Sequence, residues 1–246
     1  MTQALKLGHA FELVVTTPDL RESLKFYEQL GYKKLVSPNS PAAGALLTDG
    51  VIRLSLREQD RGKTTLTYYA ENVEEKIATL EPLGLRFDNK LQTGSAVTSA
   101  TFRDPNGLEV NLVQAAPSEL QPIPQTPISQ AGQFGELSVE TEDVAKSLEF
   151  WLKLGFEPSQ YMPDPPIAWA SITDGLLMLG IYLKGHCPHV IKTPSITYFE
   201  ADMPDRILRL KQEGMSFLQE LPDESGKTGH AIAEAPEGQL LFLFSF

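Results

Sequence analysis

An internal repeat restricts the fold of this chain more than any other feature of its sequence. Residues 11–32, FELVVTTPDLRESLKFYEQLGY, align without a gap with residues 135–156, GELSVETEDVAKSLEFWLKLGF. A second pair of segments, 66–87 and 196–217, aligns in the same order further along the chain. Two matches of this length in the same order are unlikely to arise by chance. The chain is therefore expected to build the same structural unit more than once.

A proline-rich segment separates the two halves. Residues 115–132 read AAPSELQPIPQTPISQAG and contain four prolines, which exclude a regular helix and disfavour a central strand. We interpret this segment as a linker between two predicted domains, residues 1–114 and residues 133–246. A chain of 246 residues is long enough for two domains with their own cores.

Each half divides again into two modules of one strand, one helix and three strands. Phe11–Thr16 alternates like a strand, Asp19 is placed to cap a helix, and Gly31 is placed to end it. Asp49-Gly50 and Asn106-Gly107 are typical hairpin turns. After its helix, the first module is expected to contain strands at about 32–36, 44–48 and 51–57, with a proline-containing loop between the first two. The second module is expected to contain a strand at 64–70, a helix at 72–81 and strands near 84–87, 97–103 and 108–114. The predicted fold class is α+β, with four βαβββ modules at residues 8–57, 63–114, 133–184 and 193–246.

Composition and charge exclude several classes of protein. The net charge is −11 and the basic residues are scattered, which argues against nucleic-acid binding. No apolar run is long enough to cross a bilayer, and the N-terminal residues lack a secretion-signal pattern. The single Cys187 excludes an internal disulfide. We expect a cytoplasmic monomer or homodimer that binds a small molecule, with no nucleic-acid or membrane partner.

Two motifs carry a family resemblance. Residues 18–32, PDLRESLKFYEQLGY, resemble the opening of a glyoxalase-type module, and residues 102–110, FRDPNGLEV, resemble its closing strand pair. The chain thus resembles a tandem member of the glyoxalase, bleomycin-resistance and extradiol-dioxygenase (vicinal oxygen chelate) superfamily. The resemblance implies that paired modules curl their mixed sheets into open cups, with helices outside and the site inside. Two pairings of the modules remain open: first with second and third with fourth, or first with fourth and second with third.

The resemblance also indicates where metal-using members hold their ion. One ligand lies seven residues before the aspartate that caps the helix, and another lies seven residues after the aspartate of Asp-Pro-x-Gly. In this sequence the eight corresponding positions are Glu12, Ser55, Thr65, Asn111, Glu136, Gly180, Ser195 and Phe242. None is a histidine and each cup has one carboxylate, whereas a catalytic transition-metal site normally needs about three imidazole, carboxylate or thiolate groups. We predict no metal and no other cofactor, with a weak divalent-ion site of oxygen ligands as the alternative.

Two other places in the sequence have residue types that could bind a metal. A different hairpin spacing would bring Glu109 into the cup in place of Asn111. The run His186-Cys187-Pro188-His189 has metal-ligating residue types, but it falls in an expected loop between modules and not on a cup strand. We interpret it as a surface loop.

Strand alternation predicts what faces each cup. The first cup is expected to be polar and the second to be largely apolar around Glu136. Glu12 and Glu136 are the candidate catalytic residues, acting as general acids or bases; the alternative is that both are ordinary hydrogen-bonded carboxylates. The predicted ligand-binding residues are Arg53, Ser55, Thr65, Tyr69, Asn111, Met178, Tyr182, Ser195, Phe199 and Phe242.

Three functions are compatible with these features. The favoured one is a small-molecule binding protein that holds its ligand in a sheet-lined cup without the metal. The second is a related enzyme, a lyase, isomerase or oxygenase with altered or metal-free acid–base chemistry through Glu12 or Glu136. The third is a regulatory module that binds a protein partner. The fold alone does not choose between them.

Overall fold

The computed structural model of the protein describes residues 5–35, 44–60, 62–189, 191–223 and 226–246. Four helices lie in these ranges: α1 Leu20–Gln29, α2 Val73–Leu80, α3 Val144–Lys153 and α4 Met203–Gln212. The strands of the first half are β1 Ala10–Thr17, β2 Lys33–Leu35, β3 Gly44–Thr48, β4 Arg53–Glu58, β5 Lys63–Ala70, β6 Asn89–Thr93, β7 Ala96–Arg103 and β8 Glu109–Gln114. Those of the second half are β9 Gln133–Thr141, β10 Glu157–Met162, β11 Trp169–Thr173, β12 Met178–Leu183, β13 Ser195–Phe199, β14 Gln219–Pro222, β15 Thr228–Glu234 and β16 Leu240–Phe244.

The strands form two eight-stranded mixed sheets. The orders are β2-β3-β4-β1-β5-β8-β7-β6 and β10-β11-β12-β9-β13-β16-β15-β14. In modules one, two and four the first strand runs parallel to the last, as Leu13 beside Leu54 and Leu66 beside Val110 show. The other pairs of strands within each module are antiparallel. The second sheet repeats the strand order of the first. This architecture confirms the predicted α+β fold of four βαβββ modules, with modules one and two in one sheet and modules three and four in the other.

Packing groups the modules in a second way. The chain divides into two compact units: one contains Met1–Glu12, Thr65–Leu120 and Ser138–Thr193, and the other contains Leu13–Thr64, Gln121–Leu137 and Pro194–Phe246. The first unit therefore joins modules two and three, and the second joins modules one and four. The predicted domain boundaries, 1–114 and 133–246 with the linker 115–132, stay a prediction.

Local sequence sets the ends of the helices. The Asp19 side chain accepts a hydrogen bond from the Glu22 amide at 3.0 Å, and Asp143 accepts one from the Lys146 amide at 2.9 Å. Each carboxylate satisfies one of the unpaired amides in the first helical turn. Gly31 follows the first helix with a φ of 87°, a left-handed conformation that favours glycine. The predicted cap and end of the helix in module one are confirmed.

A turn replaces one predicted strand, and another turn lies in the linker. The expected strand near 84–87 is wrong, because a 3₁₀ turn at Glu81–Leu83 and the left-handed Gly84 direct Leu85 into the core before pairing starts at β6. The linker contains a 3₁₀ turn at Pro117–Glu119, since a proline at the first helical position loses no hydrogen bond. The end of the strand expected at 32–36, with the following proline-containing loop, lies outside the described residues.

Alternation along the strands separates a buried face from a more polar face. Leu13, Val15, Leu54 and Leu56 are fully buried, and helix α1 contacts β4. Such burial of branched apolar side chains is the main stabilising term for the fold. In the described part of the chain, no helix is both long enough and apolar enough to cross a membrane.

A buried polar cluster lies in the second unit. The Tyr198 hydroxyl donates to Asp49 Oδ2 at 2.9 Å and also shares a short hydrogen bond with the Tyr32 hydroxyl. Asp49 Oδ1 accepts from the amides of Val51 and Ile52, which fixes the hairpin turn. Burial raises the pKa of the Asp49 carboxyl, and these hydrogen bonds partly offset that effect.

The first unit contains an equivalent but less complete cluster. Tyr68 aligns with Tyr198, and Asp174 aligns with Asp49. Burial and the nearby Asp174 carboxylate raise the pKa of Tyr68. The Tyr68 hydroxyl and Asp174 Oδ2 nevertheless have no hydrogen-bond partner of normal geometry among the described residues. At the position of Tyr32 this unit has Phe156, which brings no hydroxyl.

Candidate functional site

The polar face of module two is the first candidate site. Thr65, Thr67 and Tyr69 share one side of β5, opposite the fully buried Leu66 and Tyr68. Thr65 and Thr67 are themselves at most 8% exposed, whereas Tyr69 is half-buried. Among Thr65, Thr67 and Tyr69, it is therefore Tyr69 that solvent reaches most readily.

A hydrogen bond joins two of the predicted residues. The Tyr69 hydroxyl donates to Glu12 Oε2 at 2.9 Å, and Glu12 is only 4% exposed. The Tyr69 carbonyl accepts from the His9 amide at 2.9 Å, and a Cβ on Gly8 would come within 2.4 Å of that carbonyl oxygen. The N-terminal segment thus fixes the backbone of Tyr69, and only glycine fits at position 8. The buried carboxylate in turn orients the phenol.

Asn111 continues the polar face beside Tyr69. It lies opposite Thr67 on β5 and opposite Thr101 on β7, and its Oδ1 accepts a hydrogen bond from the Thr101 hydroxyl at 2.8 Å. This contact leaves the amide nitrogen of Asn111 as the donor that a ligand would meet. Glu109 lies on the same side of β8, so the two residues are not alternatives. Its carboxylate forms an ion pair with Arg103 at 2.6 Å.

In the second unit, Arg53 and Ser55 lie on the polar side of β4. Arg53 Nη2 donates to the Gln121 carbonyl at 2.7 Å, so its guanidinium holds the start of the proline-rich segment. Ser55 is 7% exposed and lies opposite Leu46. These contacts give Arg53 a structural partner within the chain.

Module four, also in the second unit, presents aromatic rings where module two presents polar groups. Phe242 stacks on Phe244 with ring centroids 5.5 Å apart, and Phe199 lies 6.3 Å from Phe244. Ser195 is fully buried and Glu136 is 5% exposed. Aromatic rings therefore surround Phe244 on this face. The largely apolar second cup stays a prediction.

Module three carries the remaining predicted residues. Met178 and Tyr182 lie on the half-buried side of β12, and Trp169 lies opposite Tyr182 with its ring nearly parallel, at 6.3 Å and 16°. Sequence reasoning missed Trp169, although its alternation with the buried Ala170 and Ile172 would have placed it on this face. Residues 186–189 follow β12 outside any strand, as predicted for a loop.

The residues at the eight metal positions do not fit a transition-metal site. In the first unit the carboxylate of Glu12 is engaged by Tyr69, and the Asn111 oxygen is engaged by Thr101. Gly180 and Phe242 have no ligating side chain. Across the ranges that the structure describes, no three His, Cys, Asp or Glu side chains are grouped to hold an ion. A Mn, Fe, Ni or Zn centre normally needs such a group.

Solved structures with this fold include enzymes of two activities. Catechol 2,3-dioxygenase matches with a TM-score of 0.64 and 13% identity, covering 100% of this chain and 89% of the other. The Mn(II)-bound glyoxalase from Novosphingobium aromaticivorans gives 0.65 and 14%, covering 98% and 82%. The 2,2',3-trihydroxybiphenyl 1,2-dioxygenase from Sphingomonas wittichii gives 0.62 and 16%, covering 99% and 91%. At these identities the likeness shows the fold alone.

Sequence comparison gives a match to one family model in the first half of the chain. None of the curated proteins matches the chain significantly. Residues 6–112 match the family model described as Glyoxalase/Bleomycin resistance protein/Dioxygenase superfamily. The second half has the strand order of the first and aligns with it along the chain. Over residues 6–112 the first half is thus similar to this superfamily, and the second half repeats the fold of the first.

Proposed function

We propose that the protein binds a small polar organic molecule on the face formed by Tyr69, Asn111 and Thr101, without a metal ion. The observation that carries the proposal is the hydrogen bond from Tyr69 to the buried Glu12 carboxylate. Glu12 lies at a position where metal-using members of the superfamily have a metal ligand, but here its carboxylate holds the phenol of Tyr69 in place. Binding sites of this kind combine a few fixed polar groups with a concave or sheet-lined surface.

The polar groups on this face have complementary roles. The Tyr69 hydroxyl donates its proton to Glu12, and a phenol oxygen can also accept a hydrogen bond from a ligand. Asn111 offers its amide nitrogen as a donor, since its oxygen accepts from Thr101. A ligand that carries a donor next to an acceptor, such as a hydroxy-carbonyl or an amide, matches this pair. Glu12 acts as a positioning residue behind Tyr69.

A ligand screen on the complete chain tests the proposal. Saturation-transfer NMR with a library of small hydroxy-carbonyl compounds and amides should give ligands that bind equally well in EDTA and in added Mn or Zn. The Tyr69→Phe and Asn111→Ala substitutions should each weaken their binding about tenfold, because each removes one buried hydrogen bond.

Tyr161→Phe is the matched control. Tyr161 is 45% exposed on β10 and lies beside Ala170, on the opposite side of its sheet from Trp169. Its substitution should leave the affinity unchanged. Binding that requires an added metal, or that is indifferent to Tyr69→Phe, would contradict the proposal.

The same contact favours a second candidate function, acid–base catalysis by the Tyr69–Glu12 pair. A phenol hydrogen-bonded to a buried carboxylate can pass a proton to or from a bound substrate. Incubation of the ligands from the screen with the protein in D₂O, followed by mass spectrometry, detects proton exchange or conversion. Catalysis predicts that turnover disappears in Glu12→Gln while binding persists, whereas a binding protein gives no conversion.

A further inference from the structure

The open side of module three carries a row of side chains that the proposed function does not use. Trp169 and Tyr182 are register partners on β11 and β12, with nearly parallel rings 6.3 Å apart, and both are half-buried. The alternate residues Ala170 and Ile181 are fully buried on the other side. The two rings therefore form an aromatic wall that solvent still reaches.

A carboxylate completes this row. The Lys184 amide donates to the Thr141 carbonyl at 2.8 Å, as the Gln59 amide does to Thr17 at 2.9 Å in the first half. In the first half, the strands joined by this hydrogen bond are parallel, and Thr16 is the register partner of Arg57. Because Lys184 and Thr141 make the equivalent hydrogen bond, the equivalent register in module three places Glu140 beside Tyr182. Glu140 alternates with the fully buried Val139, so it shares the open side with Tyr182.

The neighbouring row has almost no side-chain bulk. Ser171 lies opposite Gly180, and the register that pairs Glu140 with Tyr182 places Ser138 next to Gly180. Rows on one side of a strand are about 6.8 Å apart, so two serines and a glycine leave a strip of that width beside the aromatic wall. Ser171 is half-buried, which shows that solvent enters the strip.

Nearby charges favour a cation in this strip. Lys184 Nζ forms its ion pair with Glu142 at 2.8 Å, whereas its interaction with Glu140 is electrostatic and weaker. The net charge of −11 also favours the approach of cations. Aromatic faces combined with a carboxylate are the arrangement that recognises ammonium groups.

We propose that module three holds a second, separate binding site for an organic cation with an alkylated ammonium group. The ammonium lies over Ser171 and Gly180, against the rings of Trp169 and Tyr182, and Glu140 supplies the opposite charge. This site uses none of the residues on the Tyr69 face, so the two proposals stand or fall independently.

Ligand-observed NMR on the complete chain tests the site with choline and its neutral isostere 3,3-dimethylbutan-1-ol. The two probes have the same shape and differ in charge. Choline should bind at least about tenfold more tightly, because only a cation gains from both the ring faces and the carboxylate. Trp169→Leu and Glu140→Gln should each weaken choline binding by about five- to tenfold. Trp169→Phe, which keeps a ring, should restore part of the affinity.

Glu142→Gln is the matched control, since it removes an exposed carboxylate two residues away that belongs to the ion pair with Lys184. It should leave choline binding unchanged, as should Tyr69→Phe. Circular dichroism and the melting temperature of each variant show whether it is folded. Equal affinities for choline and the alcohol, no binding of choline, or equal effects of Glu140→Gln and Glu142→Gln would overturn the proposal.

Discussion

The two halves of the chain share one strand order but differ in chemistry at equivalent positions. Tyr69 on β5 becomes Phe199 on β13, and Asn111 on β8 becomes Phe242 on β16. The first half thereby gains a hydrogen-bonded polar face, and the second gains stacked rings. The repeated fold sets where side chains stand, and single substitutions at a few of these positions decide what each half is able to bind.

A second difference lies on the buried side of the sheets. Tyr198 donates to Asp49 and also meets Tyr32, whereas the aligned Tyr68 and Asp174 do not meet at hydrogen-bond geometry. Phe156 replaces Tyr32, although the ring pairs agree closely: Tyr27 to Tyr32 is 5.2 Å and Trp151 to Phe156 is 4.9 Å. The loss of a single hydroxyl therefore leaves the cluster in the first unit incomplete without changing the packing around it.

The largest expected effect comes from removing the two aligned tyrosine hydroxyls. Tyr198→Phe should lower the free energy of unfolding by about 2–3 kcal/mol, because it takes a donor from a buried carboxylate. Tyr68→Phe should cost less than about 1 kcal/mol, since the contact of its hydroxyl with Asp174 falls outside normal hydrogen-bond geometry and is weaker. Urea denaturation of both variants measures the difference. An equal loss of unfolding free energy in the two variants would show that the Tyr198 and Tyr68 hydroxyls contribute equally to stability.

A smaller effect is expected on the polar face. Tyr69→Phe makes module two resemble module four and leaves the Glu12 carboxylate without this donor, at a cost of about 1.5 kcal/mol. Combining it with Glu12→Gln should cost less than the sum of the single changes, because the two groups act as a pair. A double-mutant cycle by chemical denaturation checks this coupling, and strict additivity would show that the hydrogen bond contributes nothing.

Removing the hydroxyl at position 32 and adding one at the aligned position 156 should change the stability of the protein in opposite directions. Tyr32→Phe removes one partner of Tyr198 and should destabilise the protein by about 1 kcal/mol. Phe156→Tyr brings a hydroxyl towards Tyr68 and Asp174 and should stabilise it by up to about 1 kcal/mol. Melting temperatures of the two variants are a sufficient readout. Destabilisation by Phe156→Tyr would mean that the space around Phe156 does not accept an oxygen atom.

The smallest effect concerns pH. Burial raises the pKa of Asp49 above its ordinary value of 3.8, so between these two pKa values the folded state binds more protons than the unfolded state. The contribution of Asp49 to the free energy of unfolding therefore falls as the pH rises through this window, and is most favourable below it. Asp49→Asn should remove that slope, as measured by unfolding between pH 3.5 and about 6. The free energy of unfolding of the wild type minus that of Asp49→Asn should fall with rising pH in this window. A rise with pH would contradict a raised pKa for Asp49.

Sequence reasoning predicted the repeated architecture well, because alternation, capping residues and turn glycines are local signals. The helix cap at Asp19, the helix end at Gly31 and the hairpin turn at Asp49 all occur as expected. The strand near 84–87 was wrong because Leu85 is placed by packing against the core, which periodicity over a few residues does not record. Alternation alone would have placed Trp169 on the open face of β11, but its pairing with Tyr182 depends on the register between β11 and β12.

The candidate site was predictable in composition but not in contacts. The sequence indicates Glu12, Tyr69 and Asn111 as polar residues on one face, and the structure brings Glu12 to Tyr69 and Asn111 to Thr101. The contact of Glu12 with Tyr69 has no sequence signal, because it joins residues 57 positions apart on different modules. The contact of Asn111 with Thr101 lies within the predicted Asn106-Gly107 hairpin, but it depends on the register of that hairpin. The contact of Arg53 with the Gln121 carbonyl likewise depends on the path of the linker.

We propose that the polar face of the first half binds its ligand without a metal ion. Plasma mass spectrometry of the untagged protein, after incubation with Mn, Fe, Ni and Zn and desalting, tests it most directly. We predict far less than one ion per chain, unchanged by Glu12→Gln, because the Glu12 and Asn111 oxygens already accept hydrogen bonds. A content of about one ion per chain that disappears in Glu12→Gln would contradict the account.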